Sequence, residues 1–408
     1  MRNAETLKES ISDVRGILCW GAHVGIKAKR RDLALIYSEV PCAISAVFTR
    51  NLVVAEPVKI SREHARGGRA QAVVINAGNA NACTGEQGRH AAEAMVTTMA
   101  EVLGIPRELV LVASTGVIGQ RFPTDKVVAG IRRNIGKLSE MRTASSFVAN
   151  AILTTDTFPK EAAKRFEVDG KSVLLAGVAK GSGMIHPDMG TMLAFMCCDV
   201  AIDRKLLDQT FREAVDASFN MITVDGDTST NDMALVMCNG LAGNRLITGP
   251  DQEGYAEFRD ALFGVCTDLA KTIVSDGEGA TKFVEYRVIN APSVEAARRI
   301  VRVVSDSSLV KTALYGRDPN WGRVLAAAGR AGVEFDPDTV ELSIGSEKMY
   351  QVARRSRPTS QDLEVVREAM TDTQLRLVLN LNCGDAEATG WGSDLSEDYV
   401  QFNSHYTT

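Results

Sequence analysis

An α/β (α+β) fold of layered sheets and helices is predicted by three observations on the sequence. From Gly68 onward, short apolar runs alternate with stretches of helical spacing. The apolar runs are four to ten residues long and rich in Val, Ile and Leu, as strands buried within a sheet are. Glycine- and asparagine-rich knots separate the two kinds of segment, supplying the positive-φ turns that strand and helix ends need. Such interleaving is the mark of sheets covered by helices.

Taken in order, RAQAVVINAG (69–78) reads as a strand, GRHAAEAMVTTMAEVLG (88–104) as a helix and LVLVASTG (109–116) as a second buried strand. Helical spacing returns at 125–136, 143–153, 204–217, 256–273, 293–304 and 361–370. Between these lie strand-like SVLLAGVAK, TMLAFMCCDV, DMALVMC, KFVEYRVIN, TVELSIG and LRLVLNLN. A chain of 408 residues exceeds the size at which a single core stops growing, so two domains or two interlocked layers are expected. Seven knots (NAGNANACTG, STGVIG, KGSGM, VDGDTSTND, SDGEGATK, YGRDPNWGR and GDAEATGWGSD) each sit beside an apolar run, which suggests several strand ends converging on one ligand site.

Composition excludes several function classes. With 45% hydrophobic and 24% charged residues the chain is an ordinary globular one, and its net charge of −5 gives no attraction to phosphate backbones or anionic lipid. Neither nucleic acid nor a membrane is an expected partner. The eight cysteines lack paired CxxC spacing and the five histidines form no helical pair, so no metal and no cofactor are expected. Free thiols, a polar amino terminus and the lack of any apolar run of about 18 residues point to a cytoplasmic protein. Phosphate loops, GxGxxG, HExxH, the GxSxG elbow and the EF-hand loop are all missing from the sequence.

One stretch stands apart. KGSGMIHPDMGTMLAF (180–195) sets a pliable, glycine-rich approach before an apolar run that opens on Thr191. A threonine hydroxyl becomes an effective nucleophile when a base lies beside it, and the α-amine of the same residue is such a base once the preceding peptide bond is cut. That amine titrates near ~7.7–8.0, so an appreciable fraction is free to take a proton at neutral pH. Gly190 would leave the scissile carbonyl accessible. On pattern alone, a β-branched residue opening a buried strand is the favoured reading of Thr191.

The same stretch resembles the self-cleavage segment of the ornithine acetyltransferase (glutamate N-acetyltransferase) family of arginine biosynthesis. The resemblance extends through GIKAKRRDLALI (25–36), FTRN (48–51), NAGNANACTG (76–85), STGVIG (114–119), TTDTFPK (154–160), FNMITVDGDTSTND (219–232), SDGEGATK (275–282), GRDPNWGR (316–323) and DYVQFNSHYTT (398–408). It implies self-cleavage at Gly190–Thr191, an α chain of 1–190, a β chain of 191–408 and an α2β2 assembly. It further implies the fold of the related self-processing aminopeptidases. Thr191 would carry acetyl from N-acetylornithine to glutamate, and some members of the family also accept acetyl-CoA.

Residue by residue, the resemblance makes Thr115 and Gly116 the oxyanion donors. It makes Thr154, Lys180, Thr191, Glu278, Asn403 and Thr408 substrate contacts, with Thr155 the alternative to Thr154. Read without it, these are a strand-ending turn, a helix-terminal hydroxyl, a solvated lysine and a turn acid. The carboxy-terminal tail, with Tyr399, Phe402 and Tyr406, is expected to dock through apolar anchors. Three departures from the family pattern stand out: Gly190 in place of alanine, His186 at a position usually small or acidic, and GWGSD for AWGCD. These bear on substrate choice more than on reaction type, leaving a paralogue for another acylated amino acid as one alternative. An amidase or aminopeptidase, and an uncleaved binding protein, are the others.

Overall fold

The computed structural model of the protein describes residues 9–186, 192–353 and 359–405. Fourteen strands occur among them: β1 (Ile17–Ala22), β2 (Leu33–Phe48), β3 (Arg69–Asn79), β4 (Val110–Val117), β5 (Lys160–Val168), β6 (Lys171–Lys180), β7 (Leu193–Cys198), β8 (Ile222–Thr223), β9 (Met233–Cys238), β10 (Phe283–Ala291), β11 (Glu341–Gly345), β12 (Met349–Ala353), β13 (Gln374–Asn380) and β14 (Ala386–Ser393). They form two sheets. The first runs β4-β3-β2-β9-β7-β6-β5, with β1 also on β2, and the second runs β12-β11-β13-β10-β14-β8.

The central strands are the apolar runs read from the sequence. All six residues of β7 and all six of β9 are buried, because both faces of the first sheet are covered. On one face, Ala144, Val148 and Ile152 of the Arg142–Ala151 helix and its end pack over Leu174, Val178, Phe195 and Leu235. On the other, the Arg204–Ala217 and Tyr255–Ser275 helices fill the space between the two sheets, with Phe211, Phe258 and Leu269 among Leu175, Met196 and Val236. Asp203 starts the former helix by accepting the amides of Lys205 (2.9 Å) and Leu206 (3.2 Å). All eight cysteines are free, six of them buried; burial pushes Cys19 and Cys42 up to about 12, leaving these thiols inert.

The two segments on either side of residue 190 share this sheet. β7 pairs antiparallel with β6 and parallel with β9, and β9 pairs antiparallel with β2. The layers are therefore interlocked, and a chain cut before β7 would remain joined by the ladders on both sides of it.

Several elements were not read from the sequence. β2 is sixteen residues long and its register shifts between Tyr37 and Cys42, so its first part serves β1 and β3 and its last part β9. The GDAEATGWGSD knot is largely strand, not turn: Ala386–Ser393 lies between β10 and β8. Its glycines answer to close packing. A Cβ on Gly390 would stand 2.6 Å from the Met221 carbonyl oxygen and 2.6 Å from Val301 of the Val294–Ser305 helix. YGRDPNWGR likewise runs into the Trp321–Gly329 helix, which Asn320 caps through the Arg323 amide. Among the described residues, no helix is long and apolar enough to cross a membrane.

Gly390→Ala is expected to destabilise the fold by about 1–3 kcal/mol through overpacking against a backbone carbonyl. The measurement is denaturant unfolding, which should show a lower midpoint with an unchanged slope.

Candidate active site

A cavity of about 210 Å³ lies where four of the seven knots meet (STGVIG, KGSGM, VDGDTSTND and SDGEGATK), lined among others by Thr115, Gly116, Thr154, Thr155, Lys180, Asp225, Glu278, Tyr399 and Asn403. Six of the nine expected site residues are thus brought together from five separate segments. Gly190, Thr191 and Thr408 lie outside the described residues. The chain resumes at Met192, whose amide donates to Asp232 Oδ1 (2.8 Å).

Thr115 and Gly116 occupy the end of β4, beside the parallel strand β3. Gly116 has φ +129°, and a Cβ there would stand 2.3 Å from the Gly78 carbonyl carbon and 2.5 Å from the Asn79 nitrogen. Only glycine fits so close a strand crossing. Asn231 ties this strand end to the start of β9, its Nδ2 donating to Ala80 O (2.6 Å) and Ser114 O (2.9 Å).

Lys180 ends β6 and is 3% exposed, with Nζ 3.3 Å from Thr115 Oγ1. The solvated-lysine reading is thereby corrected: β6 lies inside the sheet, between β7 and β5, and the side chain is buried. Burial pushes the Lys180 ammonium below its usual range, and the nearby Asp156 carboxylate opposes that push most strongly. Thr154 follows the Arg142–Ala151 helix, and its amide donates to Asp156 Oδ2 (2.9 Å).

Glu278 follows the Tyr255–Ser275 helix, and its amide donates to Ser182 O (2.9 Å). Asn403, on the Glu397–His405 helix, donates to Glu278 Oε2 (3.0 Å). Gly183 makes room for that carboxyl group, since a Cβ there would meet it at 2.3 Å. Among the expected anchors, Tyr399 is half-buried and donates to Asp225 Oδ2 (3.3 Å), while Phe402 is 38% exposed. Tyr406 lies outside the described residues.

Sequence reasoning missed Asp225, although it stands in the quoted VDGDTSTND knot. Its carboxylate accepts the amides of Met184 (2.6 Å) and Ile185 (2.9 Å), shaping the approach to the Gly190–Thr191 segment. Burial nevertheless pushes it up to about 6, against those bonds. His186, one residue on, stands 3.8 Å from Asp306 Oδ1. Among the described residues no group of three or more His, Cys, Asp or Glu could hold a metal ion.

The Thr115 hydroxyl, the Gly116 backbone and the Lys180 amine line one space together with the Asp225 and Glu278 carboxylates and the Asn403 amide.

An Asp225→Asn variant should change the pH dependence of stability. A carboxyl whose folded pKa is raised binds more protons in the native than in the unfolded state between about pH 4 and 6. Its contribution therefore falls as pH rises through that window. The stability of the native sequence minus that of the variant should decline from pH 4 to pH 6, as read by denaturant unfolding at closely spaced pH values; a constant difference would count against this assignment.

The comparisons with known proteins agree with one another. A family model described as the ArgJ family matches residues 18–408. The arginine biosynthesis bifunctional protein ArgJ of Symbiobacterium thermophilum is 49% identical over 407 residues, covering 99% of this chain and 100% of that one. Its counterpart from Caldanaerobacter subterraneus is 46% identical over 408 residues, with 99% and 100% covered. Among solved structures, ornithine acetyltransferase complexed with ornithine from Mycobacterium tuberculosis is 32% identical over 45% of this chain and 96% of that one, with a TM-score of 0.40.

Proposed function

The chain belongs to the ArgJ family, and from that premise we propose that it is an acetyltransferase moving acetyl from N-acetylornithine to glutamate through Thr191 after self-cleavage at Gly190–Thr191. The observation that supports this reading most directly is the convergence of Thr115, Gly116, Thr154, Lys180, Glu278 and Asn403 on one cavity.

In maturation, the Thr191 hydroxyl attacks the Gly190 carbonyl. The peptide C–N bond breaks, an ester forms, and water opens it to leave a Gly190 carboxylate and a free Thr191 amine. The products are the α chain 1–190 and the β chain 191–408, held together by the β6–β7 and β2–β9 ladders.

In turnover, the Thr191 amine takes the proton from its own hydroxyl as the oxygen attacks the acetyl carbonyl of N-acetylornithine. Thr115 Oγ1 and the Gly116 N–H stabilise the tetrahedral oxyanion, each such donor being worth on the order of 3–4 kcal/mol. Collapse breaks the C–N bond, the proton passes to the departing amine, and ornithine leaves acetyl on Thr191. Glutamate's amine then attacks the ester, releasing N-acetylglutamate and returning the proton to the site. Glu278, steadied by Asn403, suits the ammonium of an amino-acid substrate. Lys180 and the Thr154 hydroxyl suit the carboxylate side, and Thr408 completes the substrate contacts. The reading extends to acetyl-CoA as a second acetyl donor, to an α2β2 assembly and to a cytoplasmic setting.

Intact-mass spectrometry of the purified protein should show two chains divided at 190/191, with an acetyl adduct on the β chain after N-acetylornithine is added. Thr191→Ala should give one unbroken chain and no adduct. An active protein with an unbroken backbone would overturn the proposal, and free acetate in place of N-acetylglutamate would make the protein a hydrolase.

Because both amino acids use the pocket in turn, initial rates at varied N-acetylornithine and glutamate should give parallel double-reciprocal lines. Intersecting lines would require both substrates to be bound together.

A further inference from the structure

Beneath the cavity lies a buried charge cluster that substrate need not touch. Lys160, the first residue of β5, is fully buried, and its Nζ stands 2.7 Å from Asp156 Oδ1 and 2.5 Å from Asp276 Oδ2. Asp156 also accepts the Gly181 amide (2.8 Å) through Oδ1 and the Thr154 amide (2.9 Å) through Oδ2. Asp276 closes the Tyr255–Ser275 helix and accepts the Thr157 amide (3.0 Å) and the Thr157 hydroxyl, while its carbonyl accepts the Ser182 hydroxyl (2.6 Å). Two carboxylates therefore share one ammonium, and the cluster carries one negative charge in excess. The nearby buried group with a matching excess is Lys180, whose ammonium reaches the Thr115 hydroxyl.

We propose that Asp156 is a positioning residue for the acyl-transfer site: with Lys160 and Asp276 it supplies the buried negative charge that keeps Lys180 ionised beside Thr115, while the same carboxylate fixes the backbone at Thr154 and Gly181. This inference rests on the function proposed above. A buried ammonium without a counter-charge gives up its proton, whereas one facing a net negative cluster keeps it. The groups around Lys180 are consistent with that division. Lys27, before β2, and Lys160 oppose its charge; Asp156, Asp232 and Glu278 favour it. Burial pushes Asp232 itself well above the usual carboxylate range. Lys27 donates to the carbonyls of Ala151 (3.2 Å) and Leu153 (2.8 Å), and its charge too is favoured by Asp156, though less than by Asp32.

The test compares two variants of opposite charge effect. Asp156→Asn removes the excess negative charge, so the alkaline limb of the kcat/KM profile should move down by roughly one pH unit or more, the scale set by a close opposite charge. The acid limb, which reports the Thr191 amine, should stay in place. Lys160→Gln leaves two carboxylates facing Lys180, and the alkaline limb should move up. If both variants merely lower activity with the limbs unmoved, or move them the same way, the role is structural and the proposal falls. Should Asp156→Asn fail to fold, Asp276→Asn takes its place, with a downward shift expected and an unmoved limb overturning the idea.

A second readout needs no turnover and so separates this proposal from the assignment of function. The stability of the native sequence relative to Lys180→Met should rise with pH above the folded pKa of Lys180, because there the unfolded chain binds the additional proton. In the Asp156→Asn background that rise should begin at lower pH; an unchanged onset would sink the proposal even in a protein that transfers no acetyl group.

Discussion

The pairing of β7 on both of its edges is the constraint from which the site follows. Lys180 at the end of β6 stands opposite Leu193, and Leu193 stands beside Met233 at the start of β9. Three chain ends thus meet at one place: the end of β6, the chain just before β7, and the VDGDTSTND knot before β9. Asn231 then fastens that meeting point to the end of β4 through Ala80 and Ser114. No one of these segments forms a site alone. Because β7 and β9 are buried on both faces, slipping either by one residue would exchange its two core faces and misalign every neighbour at once. The ladder therefore fixes position in a way that loops could not.

Charge buried at that edge is costly, and the molecule offsets the cost locally. Removing one partner from a buried ion pair typically destabilises by ~3–5 kcal/mol, because the other charge is left without solvent or counter-ion. Lys160 sits between two carboxylates, and those carboxylates also accept main-chain and hydroxyl donors from Thr154, Thr157 and Gly181. The same bonds that make the charges tolerable hold the cavity wall in shape. Stability and pocket geometry share one set of contacts here.

What the sequence made legible, and what it did not, divides along physical lines. Strands β3, β4, β6, β7, β9, β10, β11 and β13 were readable because burial on the core face leaves apolar runs with few interruptions. β2 was not, since a sixteen-residue strand serving two sets of neighbours mixes Glu39, Pro41 and exposed positions into its pattern. β14 was hidden for another reason: its Gly390 and Gly392 are demanded by close packing, yet a glycine in a sequence signals a turn. Of the residues lining the cavity, Thr115, Gly116, Thr154, Lys180, Glu278 and Asn403 were singled out through resemblance. Asp156, Lys160, Asp225 and Asp276 lay inside the same quoted blocks and were passed over, because a charged residue that is buried and bonded to its neighbours looks in sequence like any turn residue. Only three-dimensional proximity separates the two.

A larger groove of about 680 Å³ lies between β2 and the Glu56–Ala65 and Arg204–Ala217 helices, lined by several arginines. Three of the cationic side chains lining it have partners in the groove wall: Arg212 pairs with Asp208 (2.9 Å), Arg204 donates to Gly67 O (2.9 Å) and Arg62 to Thr49 O (2.9 Å). Such groups gain little from a ligand that must first displace an equal contact. In the smaller cavity, by contrast, Lys180 has the Thr115 hydroxyl at 3.3 Å as its hydrogen-bond contact, and the groups that fix the surrounding backbone lie one layer behind the surface. A pocket recognises a small polar substrate when its polar atoms are held in place by contacts other than the ones substrate will make. The cavity beside β7 meets that condition.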